Sequence, residues 1–126
     1  MFTLVIGVAA NGSLLPFQAV FMGKTKASVP SATDSPNYNE AIDTGFKFEC
    51  FGTGTYWSNQ QTMRAYVNDI LAPYFGKKKH ELGLPSTQKS LVQLDVWLVH
   101  RSKEFQGWMC INHPTIILDY VPGGCT

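Results

Sequence analysis

Cysteine is scarce in this chain, and the three thiols, Cys50, Cys110 and Cys125, have neither the number nor the spacing of a disulfide framework or a zinc site. That scarcity points to a reducing intracellular compartment in which each stays a thiol. Net charge is scant as well. Ten basic and nine acidic side chains leave +1 at pH 7, which builds no general field for nucleic acid or membrane and confines any DNA contact to local clusters. Long apolar runs are missing too. The apolar start, Phe2 to Ala10, is far shorter than a membrane span and has no basic region before it, so it reads as a strand and no membrane association is expected. Several common catalytic signatures are also absent: a phosphate-cradling glycine motif, a Gly-x-Ser-x-Gly elbow, a His-Glu-x-x-His helix and paired cysteines.

What is present is enough apolar surface for one core. With 44% hydrophobic and 13% aromatic residues over 126 positions, residues 1–126 are expected to form a single domain. Phe2 to Ala10 and Leu14 to Met22 are both rich in β-formers, and Asn11-Gly12 between them predicts an antiparallel hairpin closed by a two-residue type I′ turn. Pro16 cannot donate to a ladder, so it belongs near the start of its strand or on an edge. Residues 23–56 are polar and hold Pro30 and Pro36, which predicts a long loop relieved only by a brief alternation at Phe46, Phe48 and Cys50. Lys24 and Lys26 at its start either touch phosphate or form a solvated edge.

Ser58 and Gln61 have capping-box spacing, and Met63, Tyr66, Val67, Ile70 and Leu71 follow at helical intervals, so a helix with a buried face begins there. Pro73 predicts a kink or stop, with a shorter helical piece over 74–82 that Gly83 and Pro85 end. Lys77, Lys78 and Lys79 on that piece are either a phosphate patch or a solvated face.

Leu91, Val92 and Leu94 make a short run suited to a strand buried on both faces. The run ends at Asp95, where an open α/β sheet binds ligands beyond its strand ends. Asp95 is thus either a functional carboxylate or a residue that shapes the turn. Of the scattered histidines 80, 100 and 113, only His100 lies close enough in sequence to Asp95 to line the same crevice, as a functional group or a structural one. Ser102 caps a further helix with Phe105, Trp108 and Met109 on its apolar side, Asn112 and Pro114 stop it, and Thr115 to Val121 is another buried strand. Strand, helix, strand means a right-handed crossover and a parallel pair, so the fold class is α/β with the hairpin extending the same mixed sheet.

At these residues the chain resembles a known family. Leu94-Asp95, four residues and then His100 resemble the second-aspartate motif, commonly Asp-Asn-x-Pro-x-His, of the DDE-superfamily endonucleases, the catalytic domains of pogo and mariner-type transposases. Thr115-Ile116-Ile117-Leu118-Asp119-Tyr120-Val121-Pro122-Gly123-Gly124-Cys125-Thr126 is similar to that family's next strand and its Leu-Pro-x-Asn-Cys-Thr turn. Gly12-Ser13-Leu14-Leu15-Pro16-Phe17-Gln18 and Gly23-Lys24-Thr25 resemble its second and third strands, and Tyr56-Trp57-Ser58 its helix entry. The match covers nearly the whole chain and is closest to fungal transposon-derived members.

The resemblance implies a ribonuclease H-like fold and three acids holding two divalent cations, Mg2+ or Mn2+, that drive phosphodiester chemistry. Asp95 is the one acid of the three that maps, as catalytic residue and metal ligand, with His100 beside it. The strand bearing the first acid is expected before the hairpin and the third acid beyond Thr126, and Val96 stands where the family commonly has Asn. Asp119 reads as a strand-end polar residue and not as a substitute. A single carboxylate makes a weak magnesium site. Two functions follow: a remnant of a metal-dependent DNA endonuclease or strand-transferase, inactive as the isolated chain, or a non-enzymatic interaction protein on the same core. The implied setting is intracellular and nuclear, with weak local DNA contacts through Lys24, Lys26, Lys77, Lys78 and Lys79. Without the family's first strand, the apolar edges at 2–10 and 91–95 are expected to pair with each other or to form a homo-oligomer.

Overall fold

The computed structural model describes residues 2–50, 52 and 58–124. The helix entry at Tyr56-Trp57 and the terminal Cys125-Thr126 therefore lie outside the described residues. The chain is mixed α/β and divides into two compact units, Met1–Tyr66 and Val67–Thr126.

In the first unit β1 (Phe2–Val5) runs antiparallel to β2 (Gln18–Phe21), with Phe2 opposite Phe21 and Val5 opposite Gln18. The connection differs from the expected two-residue turn. Gly12 N–H donates to the Ala9 carbonyl and Ala9 N–H to the Ser13 carbonyl, both at 2.8 Å. Only Gly12 of the tip has positive φ, at 84°. The loop is thus Ala10-Asn11-Gly12, a turn followed by a left-handed glycine. Asn11 stays out of the left-handed region because its Oδ1 accepts from the Ser13 amide at 3.0 Å and the Ser13 hydroxyl at 2.7 Å, a side-chain turn that replaces the type I′ geometry. Val8 bridges to Leu14 although Val5 faces Gln18. The register therefore slips by one residue, and the bulge falls on the stretch holding Pro16, where a missing N–H does least harm.

Residues 23–56 are not the featureless loop expected. They hold a 3-10 turn (Lys26–Ser28), α1 (Tyr38–Asp43) and β3 (Lys47–Glu49), which pairs parallel to β2 from Gln18 opposite Lys47 to Val20 opposite Glu49. The alternation at Phe46 and Phe48 is the strand. Its anchors are distant in sequence: Phe46 meets Phe17 edge-on at 5.0 Å, and Phe48 stacks on Tyr38 at 5.7 Å. Contacts of that reach leave no periodic trace in a short segment.

The next helix, α2, spans Gln60–Tyr66 and buries Thr62, Met63 and Tyr66. Burial pushes the Tyr66 hydroxyl up to about 12. The cap sits one residue later than the Ser58/Gln61 spacing implies. Asn59 Oδ1 accepts from the Thr62 amide at 3.0 Å, while Thr62 Oγ1 accepts from the Asn59 amide at 2.8 Å. Threonine thus fills the reciprocal role usually taken by Glu or Gln. Buried Gln18 donates from Nε2 to the Thr62 carbonyl at 2.9 Å, tying β2 to the first turn of α2.

The second unit starts with a π-helical turn, Val67–Leu71, and continues directly into α3, Ala72–Glu81. The break expected at Pro73 falls just before it: regular helix gives way to the π turn, and the shorter piece, α3, opens at Ala72 with Pro73 in its first turn. A proline ring collides with the carbonyl four residues back in a regular helix, and the wider π turn before it relieves that collision. Leu84 N–H donates to the Lys79 carbonyl and Gly83 N–H to the His80 carbonyl, a double closure that needs the left-handed φ of 65° at Gly83.

β4 (Ser90–Leu94) and β5 (Ile116–Tyr120) pair in parallel, Ser90 opposite Ile116 through Leu94 opposite Tyr120. The crossover carries the single turn α4 (Leu98–Arg101) and α5 (Lys103–Asn112), whose Phe105 and Met109 are buried. Ser102 caps α5, its hydroxyl oxygen accepting from the Phe105 amide at 3.1 Å. Two expectations are corrected. The strands are not buried on both faces: the facing pair Leu91 and Ile117 are 60% and 45% exposed, because only one face of this two-stranded sheet is covered. Nor does the hairpin extend that sheet, since among the described residues β1-β2-β3 and β4-β5 are separate sheets. β3 occupies the second edge of β2, and β1 has β2 alone for a neighbour.

Among the described residues no helix is long and apolar enough to cross a membrane. The Asn59–Thr62 cap makes a direct prediction: Asn59→Ala should cost about 1 kcal/mol in urea unfolding. Gln61→Ala, at an exposed position, should stay within about 0.5 kcal/mol; a reversed order would restore the Ser58/Gln61 box.

Candidate functional site

Asp95 is the first residue after β4, and the one-turn α4 brings the chain back to it. His100 Nδ1 lies 2.7 Å from Asp95 Oδ1 and 3.2 Å from the Asp95 carbonyl oxygen. Both of those oxygens are acceptors, so Nδ1 carries the proton and donates. The carboxylate is 63% exposed and the imidazole side chain only 13%. The two residues singled out by spacing are therefore in contact, with the acid facing solvent and the ring tucked behind it.

The backbone that carries the imidazole is held as well. Tyr120, the last residue of β5 and opposite Leu94, donates its hydroxyl to the His100 carbonyl at 2.7 Å. Gln106 of α5 donates from Nε2 to the Arg101 carbonyl at 3.1 Å and reaches the Tyr120 hydroxyl at 3.4 Å. Sequence reasoning did not single out Tyr120 or Gln106. A signal for Tyr120 was available: strand alternation puts it on the same face as Leu118, the half-buried one. Gln106 carried none, because its role depends on where α5 docks.

Asp119 is engaged elsewhere. It faces Gln93 across the ladder, and its Oδ2 accepts from Gln93 Nε2 at 2.9 Å. That bond, with one from the Tyr120 backbone, holds its carboxyl below the usual range.

The described residues at Asp95 do not fit the divalent site that the family resemblance implies. A magnesium ion needs near-octahedral oxygen ligation at about 2.0–2.1 Å. Here one carboxylate is present, one of its oxygens is taken by an imidazole N–H, and no group of three or more His, Cys, Asp or Glu among the described residues is placed to hold an ion.

The lysines have different surroundings within each unit. Lys24 and Lys26 are exposed in the first unit. In the second, Lys78 Nζ sits 2.8 Å from Glu81 Oε2 and 5.9 Å above the Tyr74 ring, Lys77 lies 3.9 Å from Glu81 Oε1, and Lys79 turns to the Ser86 carbonyl and the Thr115 hydroxyl. Three consecutive helical positions fan through about 200°, so a run of lysines on a helix cannot share a face. The Glu81 contact raises the Lys78 ammonium and lowers the Glu81 carboxyl from their usual values.

Compared with models of known protein families, with curated proteins and with solved structures, the chain matches none of them.

Tyr120→Phe tests how His100 is held. Loss of the hydroxyl should cost about 1 kcal/mol and shift the His100 ring resonances while leaving those of His80 in place; an unmoved His100 signal would show that the contact does not position the ring.

Proposed function

We propose that this chain is a ribonuclease H-like module of the DDE-endonuclease kind that contacts nucleic acid and does not cut it. The observation that carries the reading is the 2.7 Å contact between Asp95 and His100 directly beyond a parallel strand. It joins the two residues that the family resemblance pairs by spacing, at the end of the sheet where such folds place their chemistry. Metal-assisted attack on a phosphodiester needs cations that clamp the entering and leaving oxygens, and a lone acid already bonded to an imidazole supplies no such clamp. Phosphate contact falls to the exposed Lys24, Lys26 and Lys77, with Lys78 half neutralised by Glu81 and Lys79 turned inward. Binding of this kind is weak, insensitive to sequence and steeply dependent on salt. A nuclear setting follows from that reading alone.

The test is a supercoiled plasmid incubated with the purified chain and Mg2+ or Mn2+. No nicking is expected, and binding to short duplex DNA should appear at low salt and fall by about tenfold or more between roughly 50 and 200 mM salt. Nicking that disappears in Asp95→Asn would overturn the inactive reading, and no binding at low salt would overturn the nucleic-acid reading.

A second reading, self-association by strand pairing, is favoured by β1. Among the described residues it has one neighbour in its sheet, and Phe2, Leu4, Ile6 and Val8 alternate along it and just beyond it as exposed apolar side chains. No charged residue occurs before Lys24. Two copies can thus lie antiparallel along β1 about a twofold axis without like-charge repulsion, and no inward lysine blunts the edge. Residues 2–5 pair with 18–21 on one side, and the reading takes the other side of β1 as the pairing edge. Light scattering at tens of micromolar should report a dimer that Leu4→Lys converts to monomer; a wild-type monomer throughout would exclude it.

A further inference from the structure

The second unit contains a cavity of about 300 Å3 that is separate from the Asp95–His100 contact. It is lined by residues of α3, by Leu84 and Ser86 that follow that helix, and by His113, Thr115 and Ile116 around the start of β5. Its apolar wall is Ala72, Phe75, Leu84 and Ile116. Its polar wall is Lys79, His80, Ser86, His113 and Thr115, and none of the lining residues is acidic.

Lys79 sets the chemistry. Its ammonium reaches the Ser86 carbonyl at 3.2 Å and Thr115 Oγ1 at 3.3 Å, which are neutral oxygens. The neighbouring acid, Glu81, is engaged with Lys77 and Lys78 instead. An ammonium carries three donors and a full charge, and among the described residues two neutral oxygens leave that charge without a counter-charge at the cavity wall. His113 does not share the task at neutral pH. Its Nε2 is 2.8 Å from Asn68 Oδ1, its ring lies against Trp108 at 5.2 Å between centroids, and burial lowers its pKa from the usual histidine value, so the ring stays neutral.

We propose that this cavity binds a small organic acid: a single carboxylate or phosphate monoester head on an apolar, ring-sized body. The head pairs with Lys79 beside the Thr115 hydroxyl, and the body lies against Phe75, Leu84 and Ile116. The volume suits this class. A cavity of about 150 Å3 lined by aliphatic side chains holds a benzene ring, so twice that volume takes a ring with its charged substituent, and ligand pockets begin at about 300 Å3. The proposal is independent of nucleic-acid contact, because Lys79 is the lysine turned away from an exposed phosphate surface.

The experiment is a titration of the full chain followed by amide and side-chain NMR, with benzoate and phenyl phosphate as the two acid probes. Benzyl alcohol serves as the body without charge, and inorganic phosphate as the charge without body. At least one acid should give saturable shifts in the millimolar range or tighter, confined to residues around Lys79, His113 and Thr115, and which acid binds more tightly identifies the head. Benzyl alcohol and inorganic phosphate should each bind about tenfold more weakly than that acid. Lys79→Gln should reduce acid binding about tenfold and leave benzyl alcohol unchanged, whereas Lys78→Gln should alter neither. Should Lys79→Gln fail to fold, Thr115→Val supplies the same comparison. Equal binding of benzyl alcohol and benzoate, shifts that map elsewhere, or no saturation with either acid would each overturn the proposal.

Discussion

The parallel ladder between β4 and β5 is the constraint on which the candidate site depends. It starts with the Ser90 amide donating to the Thr115 carbonyl at 2.8 Å and runs past the strand ends to the Val121 amide on the Leu94 carbonyl at 2.9 Å. That last bond fixes the backbone immediately before Asp95. The same register sets Tyr120 opposite Leu94, from where its hydroxyl reaches the His100 carbonyl. A slip of one residue would turn Tyr120 to the other face and remove that support. Two strands alone are marginal in water, and α5, whose Phe105 and Met109 are buried, reaches β5 through Gln106 Nε2 at 3.4 Å from the Tyr120 hydroxyl.

The parts of this arrangement that are local in sequence were legible. Ser102 is a serine ahead of an apolar helical pattern, and it caps α5 as such a residue should. β4 and β5 are short, largely apolar runs joined by a helix, which dictates a parallel pair. The Asp95–His100 spacing allowed one helical turn to bring the two side chains together. What was not legible depended on partners far along the chain. β3 is held by Phe17, Phe21 and Tyr38 through ring contacts, and three residues of strand cannot announce a parallel neighbour nearly thirty positions upstream. The exposure of Leu91 and Ile117 was also hidden, because an apolar run records that burial would be favourable and not whether anything covers it. Pro73 did signal a break in the regular helix, but the form of that break, a π turn rather than a stop, was not legible.

The chemistry available at Asp95 is set by its partner. A carboxylate that accepts from an imidazole N–H orients that ring, and its own exposure leaves the other oxygen to water or to a donor on a ligand. This is an acid with one fixed hydrogen bond and no second acid against it among the described residues, a geometry suited to holding a polar group in place. The lysines follow the same logic of local pairing. Glu81 draws Lys77 and Lys78 to the surface of α3, and Thr115 and Ser86 draw Lys79 into the cavity, so neighbouring residues of one basic run serve different surroundings.

The central claim is that Asp95 is bound to His100 and does not serve as a ligand of a resident divalent ion. Its most direct test is a titration of the chain with Mn2+, whose unpaired electrons broaden NMR signals of nearby nuclei, observed at the Asp95 and His100 resonances. The account predicts no saturable broadening at those residues and a proton retained on His100 Nδ1 throughout. Saturable broadening centred on Asp95, with His100 released from it, would contradict the account.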